Sequence, residues 1–234
     1  MVAGARLDRD GAADAPLPAR RGALMRLRSS RLVVLSATVV VVAAVAVTAS
    51  FLRSEPELAG VVRDPAPSVE GLEFEDVWER EAPVTVDLVP EPGTVTLAYF
   101  GYLSCPDMCP LTMGDIRRAR EELGEELAAR TTVAFVTLDP ARDGPEELND
   151  YLSLFFDDRV LALTAPDDAA LSAATERLGV RFEFEEPRAD GRYELAHSAI
   201  TYVIDAQGRI VRELPFGVTA QEIADVVEVT LREQ

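Results

Sequence analysis

Two apolar runs rich in β-branched and aromatic residues, 94–100 (Thr94-Val95-Thr96-Leu97-Ala98-Tyr99-Phe100) and 132–138, stand on either side of a helical stretch. In that stretch Ile116, Ala119, Leu123 and Leu127 recur on one face. A strand, a helix and a second strand in one sheet make a parallel pair joined by a crossover. This unit is the constraint around which the rest of the chain must fold.

Before it, Val84, Val86 and Leu88 alternate with polar residues as a short half-buried strand, closed by the turn Pro90-Glu91-Pro92-Gly93. After it, Pro145-Glu146-Glu147 opens a helix through Phe156, and 160–164 is a third apolar strand. A helix follows over 167–178, with Leu171, Ala174 and Leu178 on its apolar side. The acidic stretch 181–192, in which Phe182 and Phe184 alternate with Glu183 and Glu185, predicts a small hairpin. Strands 198–204 and 209–214 flank the turn Asp205-Ala206-Gln207-Gly208. A helix over 219–232 buries Ile223, Val226, Val227 and Leu231. The order predicts an α/β sandwich, a mixed central sheet flanked by helices, of thioredoxin-like pattern with an inserted hairpin.

The only two cysteines lie in Tyr102-Leu103-Ser104-Cys105-Pro106-Asp107-Met108-Cys109-Pro110, at the strand-to-helix turn of the opening unit. Unpaired N–H groups and the positive end of the helix dipole stabilise a thiolate there, the form that attacks disulfides and binds metal. At i and i+4 on a continuous helix the two Cβ atoms would be about 5–6 Å apart, against about 3.5–4.5 Å in a disulfide. Pro106 and Pro110 argue against a regular helix through the whole motif. The expectation is a dithiol that chelates metal and also closes into a disulfide after local rearrangement. The competing reading, two unrelated buried cysteines, fits poorly with the flanking prolines and aspartate. In open α/β sheets ligands gather beyond the C-terminal ends of parallel strands, where Asp139 also falls, so Cys105 and Asp139 are expected as neighbours.

Residues 1–31 carry seven arginines and three aspartates, net +4, without apolar periodicity, and read as a disordered tail. Residues 32–52 hold no charge and are long enough to span a hydrocarbon core of roughly 30 Å. Arg20, Arg21, Arg26, Arg28 and Arg31 crowd the N-terminal side of this run, which puts the tail in the cytoplasm and the remainder outside. The alternative is a cleaved signal peptide, with Val47-Thr48-Ala49 as a small-residue cleavage site. Residues 53–70, with Pro56, Pro65 and Pro67, read as a stiff linker, and 71–234 as the functional domain. The chain is net −18, so the part beyond residue 31 is −22. Such a surface repels nucleic acid and anionic lipid and favours a basic partner. All 23 basic residues are arginine, which suggests a GC-rich bacterial genome and so a single-pass protein of the bacterial cytoplasmic membrane.

The single histidine, His197, immediately precedes strand 198–204. Thioredoxin-like oxidoreductases usually present a cis-proline to their cysteines here, whereas the nearest upstream proline is Pro187. Two thiolates and an imidazole form a soft, low-coordinate donor set suited to Cu(I); zinc would need a fourth ligand. Three blocks carry a family resemblance: Phe100-Gly101-Tyr102 with Cys105-Pro106-Asp107-Met108-Cys109-Pro110; Leu138-Asp139-Pro140-Ala141-Arg142-Asp143; and His197-Ser198 with Tyr202-Val203-Ile204-Asp205. In that order the chain resembles the Sco/SenC copper proteins that serve cytochrome c oxidase. The resemblance implies copper, as Cu(I) and also Cu(II), bound by Cys105, Cys109 and His197. It further implies a membrane-anchored protein acting on the copper-receiving oxidase subunit, alongside other copper chaperones or thiol reductases of that compartment. The chain departs from many relatives in having Ala196 where they have Asp before the histidine, and Leu103 where they have Thr.

Asp107 and Asp139 are candidate acidic supports for the ligands, with a turn after the strand as the competing role of Asp139. Asp143 is expected to place negative charge at the start of the next helix. Met108 and Met113 are read as packing residues rather than copper ligands. The second functional reading is a thiol–disulfide oxidoreductase using the Cys105–Cys109 pair. A peroxidase is the weakest, since the Pro-x-x-x-Thr-x-x-Cys setting is absent.

Overall fold

The computed structural model of the protein describes residues 40–41, 58–78, 81–157, 160–189 and 193–234. The tail 1–31, the 32–52 run apart from Val40 and Val41, and residues 53–57 lie outside the described residues. Among the described residues no helix is long and apolar enough to cross a membrane.

The described residues from 58 onward form one compact unit. Its strands are β1 (Glu73–Asp76), β2 (Val84–Asp87), β3 (Val95–Gly101), β4 (Thr131–Thr137), β5 (Leu161–Thr164), β6 (Phe182–Phe184), β7 (Leu195–His197), β8 (Ile200–Ile204) and β9 (Ile210–Pro215). Its helices are α1 (Met108–Ala128), α2 (Pro145–Ser153), α3 (Asp168–Leu178) and α4 (Ala220–Arg232). Seven strands form one sheet in the order β2-β1-β5-β4-β3-β8-β9. The pairs β3–β4 and β4–β5 are parallel; β8 and β9 at one side, and β1 and β2 at the other, run antiparallel to their neighbours. This is the mixed α/β, thioredoxin-like sheet that the opening unit demands.

Every residue of β3 is buried, as a central strand covered on both faces must be. Tyr99 and Phe135 share one face with Tyr151 of α2, while Phe100 meets Phe74 and Tyr202 on the other. Local chemistry sets the helix ends. Asp167 caps α3 by accepting the Ala170 N–H at 2.8 Å, and left-handed Gly179 ends it. Thr219 and Glu222 cap each other's backbone at the start of α4.

Four departures of the fold from the sequence reading bear on the site's frame. Strand β1, whose Glu73-Phe74-Glu75-Asp76 shows one apolar residue among acids, was hidden by its composition; it forms because its backbone pairs with β2 on one side and with β5 on the other, while Phe74 is buried against Phe100. Helix α1 is broken at Gly124 (φ 71°, ψ 171°), so Leu123 and Leu127 are half-buried instead of continuing the stripe of Ile116 and Ala119. Residues 58–70, assigned to the linker, are seated on the domain. Val61 and Ser68 bridge to Glu213 and Arg209, and Arg63 pairs with Glu213 and donates to the Leu178 carbonyl at 2.7 Å. A Cβ on Gly60 would lie 2.6 Å from Leu214, so the chain approaches β9 this closely only because the residue is glycine. Fourth, the hairpin does not close within 181–192: β6 pairs with β7 in a two-stranded sheet of its own that reaches His197.

Candidate metal centre

The centre sits at the C-terminal ends of β3 and β4. After Gly101 the chain turns, the Cys105 N–H bonding the Tyr102 carbonyl at 3.2 Å, and α1 begins at Met108. Cys109 and Pro110 are its second and third residues; proline is tolerated there because the first-turn N–H groups have no helical acceptor. Asp107 occupies the N-cap position but its exposed side chain makes no cap. The sulfur of Cys105 takes that place, accepting the Cys109 N–H at 3.4 Å.

This position makes the two thiols unequal. A hydrogen bond from the Cys109 side chain lowers the Cys105 thiol to about 3, with further help from the N–H groups of Cys109 and Asp107, against the cost of burial. Cys109 is displaced the opposite way, by its partner sulfur and by burial, and keeps its proton. The pair thus favours a single thiolate, drawn toward Cys105 by the Cys109 N–H at the head of α1. Cys109 is fully buried and Cys105 is 8% exposed, and neither is in a disulfide.

His197 reaches the pair from the β6–β7 hairpin, where it lies opposite Phe182. Its Nε2 is 3.5 Å from Cys109 Sγ. Its Nδ1–H donates to the Ser198 carbonyl at 3.2 Å, which leaves Nε2 with its lone pair toward the sulfurs. The rings of Tyr99 and Tyr102 meet the imidazole edge-on at 6.1 and 5.7 Å, and the Tyr99 hydroxyl is 3.7 Å from Cys109 Sγ. The two sulfurs and an imidazole nitrogen lie within 4.8 Å of one another. That donor set is soft, three-fold and shielded, a chemistry that fits a low-coordinate thiophilic ion.

The acidic candidates divide. Asp143 does not act at the start of α2, where the capping position is Gly144. Its carboxylate instead accepts the Leu103 N–H at 3.0 Å and the Thr137 hydroxyl at 2.6 Å, fastening the cysteine loop to the end of β4. Asp139 is buried and bonds Arg142 and the Tyr193 hydroxyl rather than a cysteine. Asp107 is exposed, Met113 is in the core and Met108 is half-buried. Ala196 is exposed opposite Glu183, on the face of the hairpin turned away from the site. Sequence reasoning assigned no role at the site to Tyr99, Tyr102, Thr137, Arg142 or Tyr193. The two-residue spacing of Tyr193, Leu195 and His197 was the available signal that they share a face.

Residues 65–232 match the family model described as SCO1/SenC. An SCO2-like protein of Rickettsia prowazekii is 32% identical over 135 residues, 57% of this chain; the match spans just under two thirds, 64%, of that protein's length. The structure of Bradyrhizobium japonicum ScoI with copper bound superposes with a TM-score of 0.58 at 27% identity, covering 74% of this chain and 99% of that one. Yeast Sco1 with copper bound superposes with a TM-score of 0.61 at 26% identity, covering 72% and 91%. With its fold, its cysteine–cysteine–histidine cluster and a family match over nearly the whole domain, the chain belongs to the SCO1/SenC family.

Proposed function

We propose that this protein takes up copper at Cys105 Sγ, Cys109 Sγ and His197 Nε2 and supplies it to the dinuclear copper centre of cytochrome c oxidase. It does so from the extracytoplasmic side of the bacterial cytoplasmic membrane, anchored by residues 32–52. The observation that carries the reading is the convergence of three soft donor atoms within 4.8 Å, drawn from two separate elements. Copper is cargo here. A thiolate already formed on Cys105 meets Cu(I) without first losing a proton, and a buried Cys109 excludes competing water. The copper-bound relatives support the metal, and the −22 charge beyond the tail suits a basic face on the copper-receiving subunit.

The test is an anaerobic Cu(I) competition titration of the reduced full chain in mild detergent, beside Cys105→Ser, Cys109→Ser and His197→Ala. One tightly bound copper, weakened in all three variants, is expected. Affinity indifferent to His197 would sink the three-ligand site.

The same Cys105 thiolate favours a second reading, a thiol–disulfide oxidoreductase that reduces the cysteines of the oxidase site or of other exported proteins. That role needs both cysteines and not His197, so His197→Ala separates the two: reductase activity survives it while copper affinity does not.

A further inference from the structure

The metal donors come from two elements with very different support. The cysteines belong to the β3–α1 turn, which the central sheet and Asp143 hold in place. His197 belongs to β7, three residues long, paired only with the equally short β6 and outside the seven-stranded sheet. A two-stranded ribbon of this size does not hold its position unaided. Whatever fastens it to the domain decides whether the imidazole stands at the sulfurs.

Pairing continues past β7, with the Glu185 N–H bonding the Glu194 carbonyl at 2.9 Å, so strand alternation puts Tyr193, Leu195 and His197 on one face. Leu195 on that face is buried and Ala196 on the other is exposed. Tyr193 is fastened to the β4–α2 turn in three ways. Its hydroxyl donates to the Asp139 carboxylate, 3.1 Å from each oxygen. Its carbonyl accepts from Arg142 Nη1 at 2.9 Å, and its ring lies under the same guanidinium, with Cζ 3.6 Å from the ring centre. Arg142 is ion-paired with Asp139, and its Cζ stands 5.9 Å from the ring centre of Tyr102, the residue that opens the cysteine loop. A carboxylate 1% exposed is costly to leave unpaired, so Asp139 needs both partners and gives the arrangement one preferred geometry.

We propose that Asp139, Arg142 and Tyr193 form a clamp that holds the β6–β7 hairpin against the end of β4 and thereby sets His197 at the cysteine pair. The three are positioning residues, acting on the metal only through the histidine; the proposal rests on the copper reading above.

The experiment uses the reduced full chain in detergent with Tyr193→Phe, which keeps the ring under Arg142 and removes only the hydroxyl. Because the chain has one histidine, the imidazole 15N–1H spectrum of the metal-free protein reports on His197 alone. Tyr193→Phe should shift and broaden those signals and lower Cu(I) affinity about 10-fold, the lower end of what outer partners of metal ligands contribute. In a His197→Ala background the same substitution should cost no further affinity. An unchanged imidazole spectrum, or a loss that persists in full without His197, overturns the clamp. His197→Ala binding copper like the wild type would instead refute the three-ligand reading, and the metal-free spectrum still decides the clamp. If circular dichroism shows Tyr193→Phe unfolded, Arg142→Lys replaces it, retaining the charge beside Asp139 but losing the planar stack and the fork of donors.

Discussion

Replacing Gly101 by alanine places a methyl group where three fixed atoms leave no room. The added Cβ would lie 2.8 Å from Cε1 of Tyr99, 2.9 Å from Sγ of Cys109 and 3.2 Å from Cε2 of Phe135. Ordinary contact begins near 3.5 Å, so the neighbours must retreat by roughly half an ångström. Tyr99 and Phe135 have no exposed surface to swing into, and the strand backbones are locked in register, Gly101 opposite Thr137. Overpacking of this kind costs about 1–3 kcal/mol, and three simultaneous contacts put Gly101→Ala at about 2–3 kcal/mol. For a domain of this size that lowers Tm by about 4–12 °C. The displaced Cys109 sulfur should also weaken Cu(I) binding. Thermal unfolding of the reduced, metal-free protein, followed by a Cu(I) competition titration, measures both. Gly114→Ala is the control. It adds the same methyl to α1, where the nearest atom is Arg118 Nη1 at 3.7 Å, and should gain about 0.5–1 kcal/mol from helix propensity. Gly101→Ala unfolding at or above the wild-type temperature with wild-type copper affinity would refute the packing argument.

Asp143→Ala should destabilise by about 2–4 kcal/mol in urea unfolding, because it strands the Leu103 N–H and the Thr137 hydroxyl, whereas Asp143→Asn keeps an acceptor for both and should cost less. Burial raises the Asp143 carboxyl, so this group stabilises the fold below its unfolded pKa and loses that contribution as pH rises through the raised value; Asp143→Asn should abolish that part of the pH dependence. Thr219→Ala removes the reciprocal cap of α4 and should cost about 1 kcal/mol by the same measurement, with copper binding unchanged. Alkylation of the reduced, metal-free protein should fall on Cys105 with a rate nearly flat between about pH 5 and 8, since its thiolate is already formed there. Mass spectrometry showing a rate that climbs steeply with pH over that range would contradict the thiolate assignment.

The strand–helix–strand unit, the two cysteines at its turn and the helices α3 and α4 were legible in the chain because each is written locally, in periodicity and spacing. Strand β1 was not, since its acidic residues look like a loop until β5 and β2 supply its pairing. The seating of residues 58–70 was hidden for the same reason: its prolines and charges signal a linker, and only contact with β9 and α3 gives its backbone and Arg63 partners. Asp143 shows the limit most plainly. Its position before Pro145 suggests charge at a helix start, yet a hydrogen bond to Leu103, far along the chain, decides its role.

By itself the sequence determined which donors the protein owns, two thiols and one imidazole, and that the thiols stand where a helix begins, since composition and local order are properties of the chain. Only the tertiary structure decided that the imidazole stands at the sulfurs, that Cys105 is the sulfur accepting the Cys109 N–H at the head of α1, and that Asp139 turns to Tyr193. Those outcomes depend on how a short hairpin docks on the end of a sheet. Docking is the sum of contacts between residues distant in sequence, and no local pattern encodes it.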